Sequence, residues 1–242
     1  MLLLPRTHVE KFVEREIIYD KKHWTLLESK RSIANDILKY LARRGIKGYI
    51  FGSVARGDVH KNSDVEIIVL EHSLLSIIDI YLFQGFNIVE KEIIQATPNS
   101  ALKALFHLDN MTLIVVPIVP LSRLEYEFYK YGGIIGLPSS LDPYKRVPGV
   151  DKRLCMIVPT PRGHVEFSIF HREHEVCKIL NVSLDLVKER KLILTRRDHI
   201  GRTGVYLKIK LSPGEDIMKI LRSLKDTNPI VRRLLRARNV DL

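Results

Sequence analysis

The alternation of apolar and polar positions divides the chain into helical and strand-like runs. Val9, Phe12, Val13 and Ile17 recur at helical spacing, and so do Ile33, Ile37, Leu38 and Leu41, with Arg43-Arg44-Gly45 as the stop. Residues 47–51 form a short apolar run that reads as a buried strand. In the strand that follows, Val65, Ile67 and Val69 point to one face while Asp64, Glu66 and Ile68 point to the other. Residues 74–83 form an apolar helical segment broken at Gly85, and residues 86–95 alternate as a strand. Residues 104–108 and 112–118 flank Asp109-Asn110 and predict a hairpin, with a short helix over residues 100–108 as the alternative. This order predicts an α+β fold whose core is a small mixed β-sheet with helices on one side.

From Leu121 the texture changes. Gly132-Gly133, Gly136, Pro138-Ser139-Ser140, Asp142-Pro143 and Pro148-Gly149 are dense in breakers and predict a connector. The expected division is a first domain over residues 1–125, a connector over 126–150 and a smaller α/β domain over 151–242. In that last domain residues 152–159 and 165–170 read as strands around the polar turn Pro161-Arg162-Gly163-His164. His164, His171 and His174 lack a cysteine or carboxylate arrangement for coordination and read as turn or surface histidines.

Residues 173–180 predict an amphipathic helix, Asn181-Val182-Ser183 a turn capped by Ser183, and residues 184–190 a second helix. Cys177, Asn181 and Val187 stand where helix-turn-helix segments place a small residue, a residue tolerant of a left-handed turn and a β-branched core residue. With residues 192–195 and 205–211 paired around the loop 196–204, this region resembles a winged helix-turn-helix. Arg190, Lys191, Arg196, Arg197 and Arg202 would then touch phosphates. Residues 217–224 predict a further helix, and Asn228-Pro229 opens a last basic one carrying Arg232, Arg233, Arg236 and Arg238.

Composition narrows the partner. At 242 residues the chain can bury a sizeable core, and its net charge of +11 favours a polyanion such as RNA or DNA over a small neutral substrate. Cys155 and Cys177 have no companion spacing for zinc and read as small hydrophobes in a reducing compartment. The apolar Met1 to Leu4 run stops at Pro5-Arg6, and no stretch reaches transmembrane length, so a cytoplasmic protein without membrane contact is expected.

The chemistry concentrates between residues 49 and 69. Gly52 ends the first strand with a residue that lets backbone approach a ligand, and Ser53 stands where a helix can begin, adding a hydroxyl to the unpaired N–H groups there. Asp64 and Glu66 share one face of the next strand and repel unless a cation sits between them, a role suited to oxygen-seeking Mg²⁺ or Mn²⁺. Phe51-Gly52-Ser53, then Asp64-Val65-Glu66-Ile67, resembles the signature of the DNA polymerase β-like nucleotidyltransferase superfamily. The form Gly52 to Gly57 is similar to that of minimal nucleotidyltransferases and class I CCA-adding enzymes.

The resemblance implies a nucleoside triphosphate substrate, with Gly52 and Ser53 at the nucleotide and Asp64 and Glu66 as metal-binding catalytic carboxylates. Arg56 reads equally as a nucleotide-phosphate contact or as the partner of a surface carboxylate. It also implies a third carboxylate on a later strand. Aligned on Val116-Pro117 that position is Ile114, which cannot ligate a metal, and Glu90, Glu92 and Asp109 read as solvated charges. Two functions follow. One is transfer of a nucleoside monophosphate to a hydroxyl of an acceptor, nucleic acid above antibiotic or protein; the other is a non-catalytic nucleotide sensor that binds nucleic acid.

Overall fold

The computed structural model describes residues 14–72, 75–142, 144–201 and 204–242. In chain order, β1 (Arg15–Ile18) leads to α1 (Lys21–Ala42), β2 (Gly48–Phe51), the one-turn α2 (Ser53–Arg56) and β3 (Val65–Val69). Next come α3 (Leu75–Gly85), β4 (Ile88–Gln95), β5 (Lys103–Leu108), β6 (Thr112–Pro117), α4 (Arg123–Gly132) and β7 (Ile134–Gly136). Then follow β8 (Gly149–Val150), β9 (Cys155–Thr160), β10 (Gly163–Ser168), α5 (Glu173–Leu180) and α6 (Leu184–Ile200). The chain closes with β11 (Leu207–Leu211), α7 (Ile217–Thr227) and α8 (Pro229–Ala237). No helix among the described residues is long and apolar enough to cross a membrane.

Two compact units are present, each drawn from separate stretches of chain. Over the described residues the first takes the chain up to Lys39, residues 49–63 and those from Tyr126 to Gly201. Its sheet runs β1-β10-β9-β8, and β2 pairs antiparallel with β7. Leu27, Ala34, Ile37 and Leu38 of α1 are buried at helical spacing, as the sequence pattern requires. Lys30, Arg31 and Asn35 are buried on the same helix, and all three donate to backbone carbonyls. Burial of polar groups is tolerated only on such terms.

The second unit takes residues 40–48, 64–125 and 204–242. Its strands lie in the order β11-β4-β5-β6-β3, with β3 parallel to β6 and the other pairs antiparallel. One sheet face is core: Ile67, Ile114 and Phe106 stand side by side across β3, β6 and β5, each fully buried. The expected mixed-sheet α+β fold is the one observed.

Several local expectations change. Val9, Phe12 and Val13 lie outside the described residues, while Ile17 belongs to β1 rather than to a helix. Part of the breaker-rich stretch is ordered: α4 starts at Arg123, where Ser122 and Glu125 exchange hydrogen bonds in a capping box. His164 is buried, with Nδ1 2.7 Å from the Tyr19 hydroxyl, whereas His171 and His174 are exposed.

The wing does not form. Residues 192–195 continue α6, and β11 pairs with β4 instead. Ser183 caps α6 by accepting from the Leu186 N–H, and no Gly or Pro interrupts the chain before Gly201. The α5–α6 turn itself is as expected, with Asn181 left-handed at φ 50°.

Candidate functional site

The Gly52-Ser53 turn lies in the first unit. Gly52 ends β2 at φ 74° and ψ −140°, a conformation open to glycine and strained for a residue bearing Cβ. It donates to the Gly133 carbonyl at 3.0 Å, while its own carbonyl accepts from the N–H groups of Ala55 and Arg56. The Ser53 and Val54 N–H groups therefore precede the first helical hydrogen bond, where a helix start offers donors to an anion. Because α2 is one turn long its dipole is small, so the anion-binding capacity rests on those donors and the Ser53 hydroxyl.

The back of this turn is held by a buried cation. Arg31, 2 % exposed, donates to the carbonyls of Val54 at 2.7 Å, Ala55 at 3.1 Å, Ser140 at 3.1 Å and Lys145 at 3.3 Å. Burial, then the nearby Arg146, lowers its pKa to about 10. Sequence reading missed this residue, since a charged position inside a helical pattern reads as solvent-facing.

Arg56 pairs with a carboxylate, the second of its two expected roles. Its guanidinium makes a bidentate pair with Asp58 at 3.0 and 2.9 Å and donates to the Gly132 carbonyl at 2.5 Å. Arg56 is buried, so it braces the turn from within.

The carboxylate pair lies in the second unit. Asp64 is exposed just before β3 and Glu66 is half-buried on it, while Val65, Ile67 and Val69 are buried on the opposite face. Glu66 has a polar partner of its own. Two hard oxygen donors at this spacing fit one Mg²⁺ or Mn²⁺ that takes its remaining ligands from phosphate and water.

Register moves the third position. Glu66 is opposite Leu113 and Ile67 opposite Ile114 across the parallel β3–β6 pair, so Ile114 faces the core, away from Glu66. The β6 residue that shares the carboxylate face beside Glu66 is Leu113, and it also lacks an oxygen. Glu90 and Glu92 share that face but stand on β4, three strand spacings or roughly 14 Å from β3.

Glu90 and Glu92 are engaged where they stand. Lys210 is 2.7 Å from Glu90 and Lys208 is 2.7 Å from Glu92. The hydrogen bond from Lys210 heads the causes that hold the Glu90 carboxyl below its ordinary range. With His107 they form a group whose potential ligand atoms all lie within 4.8 Å of one another. Asp109 accepts from Asn87 at 3.1 Å.

The basic residues expected at phosphates separate into two sets. Arg190 packs its guanidinium 4.8 Å from the Phe128 ring centre, and burial lowers its pKa. Lys191 pairs with Glu173. Arg196 and Arg197 are exposed on α6, and Arg202 lies outside the described residues. The basic C-terminal helix is partly structural too: Arg232 donates to the Lys225 carbonyl at 2.8 Å and Arg238 to the Pro120 carbonyl at 2.7 Å.

A mixed sheet, a Gly-Ser turn after one strand and an Asp-x-Glu pair on the next are the marks of a nucleotidyltransferase domain. Residues 31–125 match the family model of that description, the nucleotidyltransferase domain, in agreement with the polymerase β-like signature at Gly52-Ser53 and Asp64-Val65-Glu66-Ile67. The match does not reach α5 or α6. No curated protein and no solved structure matches the chain significantly.

Proposed function

We propose that the protein transfers a nucleoside monophosphate from a nucleoside triphosphate to a hydroxyl of a nucleic-acid acceptor. The observation that carries this reading is the pairing of Asp64 and Glu66 on one face of β3, downstream of the Gly52-Ser53 turn, within a matched nucleotidyltransferase domain. The acceptor oxygen would attack the α-phosphorus, the bond to the bridging oxygen would break, pyrophosphate would leave, and the hydroxyl proton would pass to solvent. Bound Mg²⁺ or Mn²⁺ would supply charge neutralisation of the phosphates. Ser53 and the turn's N–H groups would position the triphosphate, and Asp64 and Glu66 would hold the cation.

The nucleic-acid acceptor is supported by the net charge of +11 and by exposed Arg196 and Arg197. The free cysteines, Cys155 and Cys177, support a reducing, cytoplasmic setting. The test is incubation with each labelled nucleoside triphosphate, Mg²⁺ or Mn²⁺, and total RNA or DNA, comparing wild type with Asp64→Ala. Incorporation that the variant loses is the expected result.

A second reading rests on Leu113. With no oxygen beside Glu66 across β6, the domain would bind metal-nucleotide without turning it over, as the sensor of a nucleic-acid-binding regulator. Tight nucleotide and nucleic-acid binding without incorporation or pyrophosphate release under any of these conditions would favour it and defeat transfer.

A further inference from the structure

An aromatic cluster that neither function uses lies in the first unit. Tyr19 stacks on His23 with ring centres 3.6 Å apart and meets Trp24 edge-on at 5.2 Å. Trp24 in turn packs against Tyr144 at 5.0 Å. The base of the cluster is buried and fixed. Tyr19 and Arg146 are buried, and the Arg146 guanidinium lies 4.8 Å from the Trp24 ring centre and 5.5 Å from that of Tyr19.

The top is open: Trp24 is half-buried and Tyr144 is 61 % exposed. A ring that served only to fill a core would not present most of its surface to water. The cluster is also positive. Arg146 donates to the carbonyls of Gly163 at 2.7 Å, Thr160 at 2.5 Å and Tyr144 at 3.4 Å, oxygens that satisfy its N–H groups without cancelling its charge. Lys21, Lys22 and Lys145 are exposed at the neighbouring positions. The adjacent carboxylates keep their charge while capping backbone, Asp20 accepting from the His23 N–H at 2.7 Å and Asp142 from the Tyr144 N–H at 2.8 Å, so these two anions offset only part of the charge of Lys21, Lys22, Lys145 and Arg146.

We propose that Trp24 and Tyr144 form a stacking platform for the bases of a single-stranded nucleic acid, with Lys21, Lys22 and Lys145 meeting its phosphates. Rigid exposed rings beside excess cationic charge are the means by which single strands are held without base-specific hydrogen bonds. The proposal deepens the transfer reading, on which it rests for the strand's role as acceptor.

The sole tryptophan of the chain is Trp24, so its emission reports on the platform directly. The full chain is titrated with a 12-mer of uridylate RNA, without divalent metal, at two salt concentrations. Expected are saturable quenching that weakens with salt, quenching retained by Asp64→Ala, and about tenfold weaker binding in Tyr144→Ser, the size of one lost base stack. No change in emission with the RNA, or unchanged affinity in Tyr144→Ser, overturns the platform. Equal quenching by free UTP that Asp64→Ala abolishes overturns it as well, since the rings would then serve the nucleotide. Quenching without nucleotide incorporation leaves the platform standing while the transfer reading fails, and incorporation without quenching has the reverse meaning.

Discussion

Replacing Arg31 with methionine tests whether the turn proposed to hold the triphosphate depends on one buried guanidinium. Of its four acceptors, the Ala55 carbonyl also accepts from the Val147 N–H and the Ser140 carbonyl from Asn35. Only the carbonyls of Val54 and Lys145 lose their recorded donor, so the variant orphans two acceptors rather than four. The Val54 carbonyl is buried and costs about 1–3 kcal/mol when unsatisfied, whereas Lys145 is exposed and its carbonyl can turn to water, so the gross loss is roughly 1–4 kcal/mol. Removing a cation whose pKa burial and Arg146 have lowered to about 10 returns part of that. A net destabilisation of about 1–3 kcal/mol is expected, with Arg31→Lys in between because an ammonium cannot span the same fork of acceptors. Urea denaturation followed by Trp24 emission reads the first unit, and nucleotide affinity should fall with stability because Val54 and Ala55 form α2. A change in Arg31→Met below about 0.5 kcal/mol, the range of an ordinary surface substitution, would refute the reasoning.

Four further outcomes are expected. Leu113→Asp adds an oxygen beside Glu66 and should tighten Mn²⁺ binding about tenfold by calorimetry, an estimate from one added charged ligand; unchanged affinity would mean the register argument is wrong. Gly57 has φ 99°, and a Cβ there would lie 2.4 Å from Arg146 Cδ, so Gly57→Ala should cost about 1–3 kcal/mol in thermal denaturation, with Gly214→Ala, which meets nothing within 4 Å, as the neutral comparison. Burial lowers the pKa of His164 below 6.5, against Asp58 and Glu166, which raise it, and with His23 and Arg153, which lower it further. The unfolded chain then takes up the proton first, so stability present above about pH 6.5 is lost as pH falls toward the folded pKa, and His164→Gln should flatten that slope in pH-dependent denaturation. Removing Arg196 and Arg197 together should reduce the salt dependence of RNA binding by roughly two phosphate contacts without loss of stability, whereas Arg190→Ala, which strips a ring contact, should destabilise the protein.

The segment from β2 to β3 was legible because its signals are local. A short apolar run, a glycine needed at φ 74° and the recurrence of Val65, Ile67 and Val69 at every second position each fix structure within a few residues. The wing was misread for a related reason: Leu192, Ile193 and Leu194 form an apolar run too short to tell strand from helix, while the Ser183 cap and the lack of a breaker before Gly201 decide for helix. Arg31 was hidden because its acceptors lie far away in sequence, at Val54, Ser140 and Lys145. The third-carboxylate position failed on parity, since a shift of one residue along β6 exchanges the core face for the carboxylate face and only the pairing with β3 reveals which is which.

That parity sharpens the difference between the two functions. Across the sheet, Glu66, Leu113, His107 and Glu90 stand in one transverse row, a carboxylate at each end and a leucine beside the first. Glu90 is too distant to complete a cation site at β3, and the ammonium of Lys210 already answers its charge. On the proposed reading Asp64 and Glu66 would suffice to bind a cation carried by a triphosphate, because the phosphates bring oxygens of their own. Activating an acceptor hydroxyl asks for more, a second cation position or a base on that side, and Leu113 supplies neither. The two proposed functions, metal-nucleotide binding alone and turnover, would therefore make separable demands on this chain, and they part at one β6 side chain.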